Sequence, residues 1–312
     1  MAISGNVPQH LVVGARTGFL TALKTTPMPW QRVAGTFNMG AKAVDLVDLG
    51  AAPMPVEDAD RGPLQDFIEK SLQIKARNWN ITVGLSYNAV MDDQTASLET
   101  KVRGAGENFQ RAINNLVFKA LDAGDGSTYG LCYDGLSFFN DSHVDKGAAY
   151  ATAQDNNFAL ALSLDNFTTN YNLAALFRND QGEFTEHNYD LLVVPPALRH
   201  IAAQIADNAD AYDTSSREKN PFYGNVKYIV SPHMNTTAWA LLASSEVAKP
   251  LYVAMREQPN LQDSWFDPMG PDGGMYYFKF YSRYNVFYGD WRLAALGNTW
   301  PISILRGWAT SP

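Results

Sequence analysis

The sequence predicts an α+β fold in which an extended arm, a long β-hairpin and a long helix are attached to a compact body. Three observations lead to this prediction. Apolar and polar residues alternate from Arg77 to Tyr87, which is the period of a β-strand. Apolar residues then recur every three or four positions from Leu98 to about Ala123, which is the period of a helix. A continuous apolar strand followed by a helix over residues 189–205 indicates a mixed body.

Residues 1–90 do not contain enough chain to enclose their own apolar side chains. Over residues 1–42 the apolar residues are scattered, with room for a short helix near residues 15–24, and we interpret this segment as an arm. Residues 43–64 begin like a strand and then become rich in proline, glycine and acids, which is typical of a projecting loop. We expect the large apolar side chains here to need a partner surface, such as a neighbouring copy of the chain.

The alternating strand carries the residues that we expect to contact a neighbouring copy. It runs for about eleven residues, which is longer than the usual five or six. One face holds Trp79, Ile81, Val83 and Leu85, and the other holds mainly asparagine, threonine, glycine and serine. Together with the loop before it, this strand completes a predicted extended loop over residues 43–90. Its apolar face should pack against an adjacent copy or against the body beneath it.

A long helix is predicted over residues 95–123, and it is about 40 Å long at about 1.5 Å per residue. The sequence DAGDGS, residues 122–127, ends it. Gly104 and Gly106 lie inside the helix, where each glycine costs about 1 kcal/mol relative to alanine. We predict that these two glycines mark a bend in the helix.

Two adjacent acids, Asp92 and Asp93, separate the strand from the helix. Either one could accept hydrogen bonds from the free amides at the helix N-terminus. General acid–base chemistry instead needs two carboxyl groups that face one substrate, whereas neighbours in sequence usually point apart. We therefore predict that this pair caps the helix.

The rest of the chain is predicted to form a body that contains both helices and strands. Residues 130–145 indicate a short strand and a turn, and residues 164–177 a helix. Further strands are predicted around residues 225–231 and 239–242, and the Gly- and Pro-rich DPMGPDGG precedes aromatic strands over residues 276–291. We interpret the aromatic residues there as core or interface, although the interleaved Lys279, Arg283 and Arg292 leave a base-stacking surface as an alternative.

Composition excludes several classes of protein. The chain has 312 residues, 46% of them apolar, and a net charge of −8, so it can bury a large core and has no strong basic character for gripping nucleic acid. The single cysteine, Cys132, excludes a disulfide framework and any multi-cysteine metal site. No secretion signal or membrane-spanning run is present, which predicts a soluble protein made in a cytoplasm.

Motifs for catalysis are missing from the sequence. It contains no GxxxxGK[ST], no GxGxxG after a strand, no GxSxG and no HExxH. Five histidines are far apart, and His143 is more simply a residue that stabilises a turn. An acid-rich hydrolase that uses Asp92, Asp93, Asp141 and His143 stays open as an alternative, provided that one pocket holds them all. We predict no catalytic, cofactor-binding or metal-binding residues.

Six stretches, in this order, resemble the major capsid proteins of tailed phages, in particular the Mu-like major head subunit family. They are PMPWQRVAGTF (27–37), ARNWNITVGLSYNAVMDDQ (76–94), DGLSFFNDSHV (134–144), YDLLVVPPALRHIA (189–202), NPFYGNVKYIVSPHM (220–234) and FYGDWRLAAL (287–296). Together they span nearly the whole chain. None of them is a catalytic signature, so the resemblance rests on their order and context.

This resemblance implies the Hong Kong 97-type fold and its parts. The implied segments are an N-terminal arm over residues 1–42, an extended loop over 43–90, a spine helix and peripheral domain over 91–187, an axial domain over 188–290, and a C-terminal return to the peripheral domain over 291–312. The spine helix itself would cover about 95–123. The known proteins with this fold are nearly all shell proteins, which agrees with the missing catalytic motifs.

The resemblance also implies a function and a set of partners. Many copies would close as pentamers and hexamers around packaged double-stranded DNA, so the protein would belong to the virion and assemble in a bacterial cytoplasm, with no membrane partner. A chain that starts at Met1 suggests a separate scaffolding protein, and a portal and a decoration protein are further expected partners. Gly104 and Gly106 would let one subunit fit slightly different angles. We expect an acidic inner surface that repels DNA. An encapsulin-like cellular compartment is the alternative within the same fold.

Overall fold

The computed structural model describes most of the chain, and it confirms an α+β fold. The described residues are 7–48, 70–92, 97–144, 150, 152–208, 219–235, 237–271 and 273–298. The helices in these parts are α1 (Gln9–Thr25), α2 (Trp30–Val33), α3 (Tyr87–Met91), α4 (Ser97–Asp122), α5 (Leu164–Ala174) and α6 (Arg199–Asp207). The strands are β1 (Ala34–Asn38), β2 (Ala43–Asp48), β3 (Lys70–Lys75), β4 (Arg77–Ser86), β5 (Asn157–Phe158), β6 (Leu191–Val194), β7 (Lys227–Val230), β8 (Trp239–Leu242), β9 (Leu251–Asp267), β10 (Met275–Tyr288) and β11 (Ala294–Gly297).

A four-stranded sheet with the order β1-β9-β10-β4 supports one half of the molecule. β1 is parallel to β9, and the other neighbours are antiparallel. Side chains alternate along β10, so Phe278, Phe280 and Tyr284 are fully buried while Lys279 and Tyr281 between them are partly exposed. The buried face packs against α1 and α4, which form a helical layer on that side of the sheet.

The long helix α4 was predicted correctly because its apolar stripe is long and regular. Val102, Phe109 and Ala120 of the predicted stripe are almost completely buried in the core. Towards the C-terminal end Val117 is buried in place of the predicted Leu116, which stays partly exposed. The helix ends at Asp122, and the following Gly124 lies against the ring of Phe139, where a Cβ would come within 2.8 Å of that ring.

The predicted N-terminal arm is wrong for the residues that the structure describes. Residues 9–25 form α1, which packs along α4 of the same chain. Phe19 is 0% exposed, and its ring stacks on Phe280 with centroids 4.1 Å apart and meets Phe109 edge-on at 5.7 Å. Trp30 is also buried, and its backbone N–H donates to Asn114 Oδ1 at 3.2 Å. These side chains are therefore covered by their own chain.

The predicted extended loop over residues 43–90 divides into two different structures. β2 and β3 pair with each other as an antiparallel hairpin, and residues 49–69 between them lie outside the described residues. Ile74 packs with Met39, Ala254 and Phe287, so the base of this hairpin contacts the body of the protein. β4 is not part of the hairpin, because it forms the edge of the four-stranded sheet next to β10.

A five-stranded sheet with the order β5-β11-β8-β6-β7 supports the other half. β6, β8 and β11 are buried along their whole length, and α5 and α6 pack against this sheet. The predicted axial segment, residues 188–290, contributes strands to both sheets, since β9 and β10 lie in the four-stranded sheet while β5 and β11, outside that segment, complete the five-stranded one. Within the predicted C-terminal return, residues 291–312, β11 pairs with β8, and residues 299–312 lie outside the described residues. The division into peripheral and axial domains stays a prediction.

A buried arginine joins the segments where the two sheets meet. Arg292 follows β10 in a short 3-10 turn and is 5% exposed. Its Nε donates to the carbonyl of Arg178 at 2.8 Å, and its Nη1 donates to Tyr133 Oη at 2.6 Å and to Asp290 Oδ1 at 3.3 Å. Tyr189 Oη in turn donates to the Arg292 carbonyl. These bonds hold four separate chain segments at the junction.

Candidate functional site

The apolar face of β4 points into the protein's own core. The register places Leu85 opposite Tyr276 and Ile81 opposite Phe280, on the side that the helical layer covers. Leu85 is 1% exposed, so it is corrected from a contact residue to a core residue. Trp79 stacks on Tyr284 with ring centroids 5.2 Å apart, and its indole N–H donates to the Tyr284 carbonyl at 3.0 Å.

Three of the four predicted contact residues keep some exposed surface. Trp79, Ile81 and Val83 are partly buried and pack against the core from the edge strand. Because they already serve the fold of their own chain, a contact with another copy can use only the part of each side chain that stays exposed. The interface prediction for them remains a proposal.

The acidic pair before the long helix is placed differently from the prediction. Asp92 is exposed and follows α3, where its backbone N–H donates to the Asn88 carbonyl at 2.9 Å. Since α4 begins at Ser97, Asp92 ends one short helix rather than starting the long one. Asp93 lies outside the described residues, and its role as a cap stays a prediction. The short α3 is capped instead by Ser86, whose hydroxyl accepts from the Ala89 amide at 3.3 Å.

The two glycines of α4 have different surroundings. A Cβ at Gly106 would lie 2.8 Å from the Phe19 carbonyl oxygen and 2.9 Å from the Cβ of Ala22, both on α1. A Cβ at Gly104 would meet nothing within 4 Å. Gly106 therefore allows the close approach of α1 and α4, whereas Gly104 lies on an open side of the helix. Their proposed role in bending α4 between subunit positions is separate from this packing role.

Alanine at these two positions should change stability in opposite directions. We expect Gly106→Ala to lower the free energy of unfolding by about 1–3 kcal/mol, because the added methyl group forces the two helices apart. Gly104→Ala should raise it by about 1 kcal/mol, because alanine favours the helix and meets no neighbour. Urea unfolding of both variants measures the difference. Equal effects of the two substitutions would contradict the close approach at Gly106.

His143 is a structural residue in a buried cluster. It is 0% exposed, its Nδ1 lies 2.5 Å from Asp134 Oδ2, and its Nε2 lies 3.3 Å from the Phe138 carbonyl. Its ring stacks on Trp291 with centroids 4.3 Å apart and an angle of 3°. Both ring nitrogens are occupied within the protein. Asp141, by contrast, is exposed and accepts a hydrogen bond from the Ser142 hydroxyl, Asp92 is exposed at the end of α3, and Asp93 lies outside the described residues.

The Cys132 thiol is not activated as a nucleophile. Burial, together with the negative charges of Asp134 and Asp290, raises the pKa of the Cys132 thiol well above its ordinary value, which keeps the thiol protonated and a poor nucleophile. Its Sγ lies 3.3 Å from the Gly289 carbonyl. Within the described ranges, no group of three or more His, Cys, Asp or Glu residues could hold a metal ion. The helices described here also include none that is both long and apolar enough to cross a membrane.

Two cavities lie among the described residues. One, of about 320 Å³, lies between α1, α2, α4 and β9 and is lined by Leu23, Trp30 and Ile113 among others. The other, of about 360 Å³, lies beside α5 and the start of β6 and is lined by Tyr171, Tyr189 and neighbouring residues. Neither cavity is lined by any residue of the alternative hydrolase site, so neither supports a hydrolase.

Sequence reasoning missed the two residues that organise the buried polar clusters. Asp134 pairs with His143, and Arg292 joins four segments. A signal for Asp134 is present, since it precedes Gly135, whose φ of +83° marks a tight turn, and its Oδ1 accepts from the Leu136 amide at 3.0 Å. Arg292 was considered only as part of an aromatic and basic block, and its partners are too distant in sequence to be read from it.

A protein-family model described as phage capsid protein matches residues 69–294. This range includes most strands of both sheets and the long helix α4. A search of curated proteins finds no match.

Solved structures with the Hong Kong 97 capsid fold are similar to the chain. The procapsid of bacteriophage JBD30 matches with a TM-score of 0.55 at 21% identity, covering 97% of this chain and 80% of that one. The JBD30 capsid decorated with minor capsid protein trimers matches with a TM-score of 0.51 at 19% identity, covering 68% and 92%. A virus-like particle from Pyrococcus furiosus matches with a TM-score of 0.55 at 11% identity, covering 93% and 100%. At these identities the likeness shows the fold.

Proposed function

The chain belongs to the phage capsid protein family, and from this premise we propose that it is the major head subunit of a tailed phage. Many copies would form the icosahedral head that encloses double-stranded DNA. The observation that carries the proposal is the family match over residues 69–294, because it includes most strands of both sheets and α4 rather than one motif. The buried His143 and the protonated Cys132 thiol leave no arrangement that favours catalysis.

The two halves of the molecule suggest how copies would be arranged. We assign the four-stranded sheet with α1, α2 and α4 to the peripheral part of the subunit, and the five-stranded sheet with α5 and α6 to the axial part. Pentamers and hexamers would form by heterologous contacts, in which one patch meets a different patch on the next copy. The hairpin of β2 and β3 and the exposed parts of Trp79, Ile81 and Val83 are the contact surfaces that we propose.

Further partners follow from the same proposal. The JBD30 capsid carries minor capsid protein trimers, and this supports a decoration protein on the proposed head. A separate scaffolding protein and a portal would complete the assembly, which would take place in the cytoplasm of a bacterial host. We also propose that the chain belongs to the Mu-like branch of head subunits, on the strength of the six ordered sequence stretches.

A cellular compartment shell is the second candidate. The fold alone does not separate it from a phage head, since the virus-like particle from Pyrococcus furiosus matches with the same TM-score, 0.55, as the JBD30 procapsid. Its sequence identity of 11%, against 21% for the procapsid, is lower, and the family match is to phage capsid proteins. The phage head is therefore the better supported of the two.

Sedimentation of the purified full-length chain tests this proposal. We expect a megadalton species in addition to any 34.4 kDa monomer, because each subunit would contact several others in a shell. Particles from a producing host should contain DNA that resists nuclease. A protein cargo in place of protected DNA would favour the compartment, and a monomer at all protein concentrations would overturn both candidates.

A further inference from the structure

Charge is distributed unevenly between the two halves of the molecule. Helices α1, α2 and α4 together hold seven lysine and arginine residues and three acids, although the whole chain has a net charge of −8. Residues 123–250, which supply most of the five-stranded half, hold fifteen acids and seven basic residues. These three helices, taken together as the helical layer from here on, are thus a positively charged part of an acidic protein.

The basic side chains of the helical layer are exposed to solvent. They are Arg16, Lys24, Arg32, Lys101, Arg103, Arg111 and Lys119. Two of the three acids on these helices are already neutralised, since Glu99 pairs with Arg103 at 2.6 Å and Glu107 with Arg111 at 3.2 Å. Across the parts of the chain that the structure describes, the other five basic residues form no ion pair.

The helical layer presents this charge along its length. Gly18 of α1 lies beside Val102 and Gln110 donates to the Leu23 carbonyl, so the two helices run side by side in the same direction. Within α4, the rise of about 1.5 Å per residue places Lys101 and Lys119 about 27 Å apart along the helix axis. The C-terminal end of α4 meets the acidic half, where Asp122 accepts from the Asn235 amide at 2.6 Å. The basic residues near the other end lie beyond the screening length of about 8 Å at physiological salt.

Two basic residues on the opposite face of the four-stranded sheet have acidic neighbours. Arg283 pairs with Glu257 at 3.2 Å, and Lys279 lies opposite Asp263 in the strand register. Part of the basic charge on that face is thus offset by acids, unlike the charge of the five helical residues that form no ion pair among the described residues.

We propose that the exposed side of the helical layer faces the packaged double-stranded DNA and contacts its phosphates. The proposal rests on the proposed function, and it replaces the expectation of a uniformly acidic inner surface with a basic face on an acidic subunit. Phosphate contacts need positive charge and no base-specific shape. The large negative charge elsewhere in the subunit keeps the attraction weak and dependent on salt, which suits DNA that must enter and leave the head.

A polyanion fits this surface better than a folded protein does. Protein interfaces usually depend on buried aromatic or other large apolar anchors. Among the described side chains of α1, α2 and α4, Val13 is the one large apolar residue that is exposed, at 56%. An acidic segment of another copy is the rival occupant, and residues 49–69 are acidic enough to be the test case.

Binding of a short DNA duplex to the unassembled full-length chain tests the proposal. Fluorescence anisotropy at several salt concentrations gives the affinity and its salt dependence, while sedimentation confirms that the chain has not assembled. We expect the variant Arg16→Gln with Lys101→Gln to bind the duplex about tenfold or more weakly at 50 mM salt. The slope of log affinity against log salt should fall by about 2, since two phosphate contacts are lost.

A control variant removes the same charge from the other half. Arg199→Gln with Lys227→Gln changes two exposed basic residues beside the five-stranded sheet, and it should leave duplex affinity within about twofold of the unchanged chain. Equal weakening by both variants, or no duplex binding by the unchanged chain, would overturn the proposal. So would tighter binding of a synthetic peptide of residues 49–69 than of the duplex. Shell formation is measured separately. Shells that form without these differences in duplex binding would contradict this inference but not the proposed function.

Discussion

Replacing Phe19 by alanine is expected to lower the free energy of unfolding of the subunit by about 3–5 kcal/mol. Its ring is fully buried between α1, α4 and β10, where it stacks on Phe280 at 4.1 Å and meets Phe109 edge-on at 5.7 Å. Removing it leaves a cavity among side chains that cannot all move to fill it. Urea unfolding of the unassembled chain, followed by circular dichroism, measures the loss.

The control for this substitution lies on the same helix. Val13 is 56% exposed, so Val13→Ala should change the free energy of unfolding by less than about 0.5 kcal/mol. If Phe19→Ala had an equally small effect while shells failed to form, then the N-terminal segment would be an arm that docks on another copy, and the packing of α1 on its own α4 would be contradicted.

Replacing Asp134 by alanine is expected to cost about 3–5 kcal/mol, because it leaves His143 buried without its ionisable partner. The side chains of Asp134 and His143 are 1% and 0% exposed, and their contact atoms are 2.5 Å apart. The substitution also removes the acceptor for the Leu136 amide, which holds the turn at Gly135. Thermal unfolding of the purified chain gives the readout.

Asp141 provides the matched control for Asp134. It lies in the same stretch and was part of the alternative hydrolase site, but its side chain is exposed. Asp141→Ala should therefore leave thermal stability almost unchanged. A large loss from Asp141→Ala, with little from Asp134→Ala, would mean that His143 depends on a different acid from the one that the structure shows.

Elements with a long local period could be predicted from the sequence. The apolar stripe of α4 and the alternation of β4 depend on residues within a few positions of one another, and both elements lie where they were predicted. The resemblance to phage head subunits also came from the sequence, and the family match confirms membership of the phage capsid protein family.

Partnerships between distant segments could not be predicted in the same way. β4 pairs with β10, about 200 residues further along the chain, and nothing local in either strand identifies the other. For that reason the sequence left open whether the apolar face of β4 packs on a neighbouring copy or on the body beneath it, and Leu85 is buried by its own chain. The same reasoning failed for Phe19 and Trp30, whose covering residues lie on α4 and β10. Apolar residues near the N-terminus whose partners cannot be identified from the sequence are therefore no argument for assembly with other copies.

Negative-stain electron microscopy of the purified full-length chain tests the central claim most directly. The account predicts closed icosahedral shells built from five-fold and six-fold clusters of subunits. A field of single 34.4 kDa subunits, unchanged across salt and protein concentrations at which the chain is folded, would contradict it.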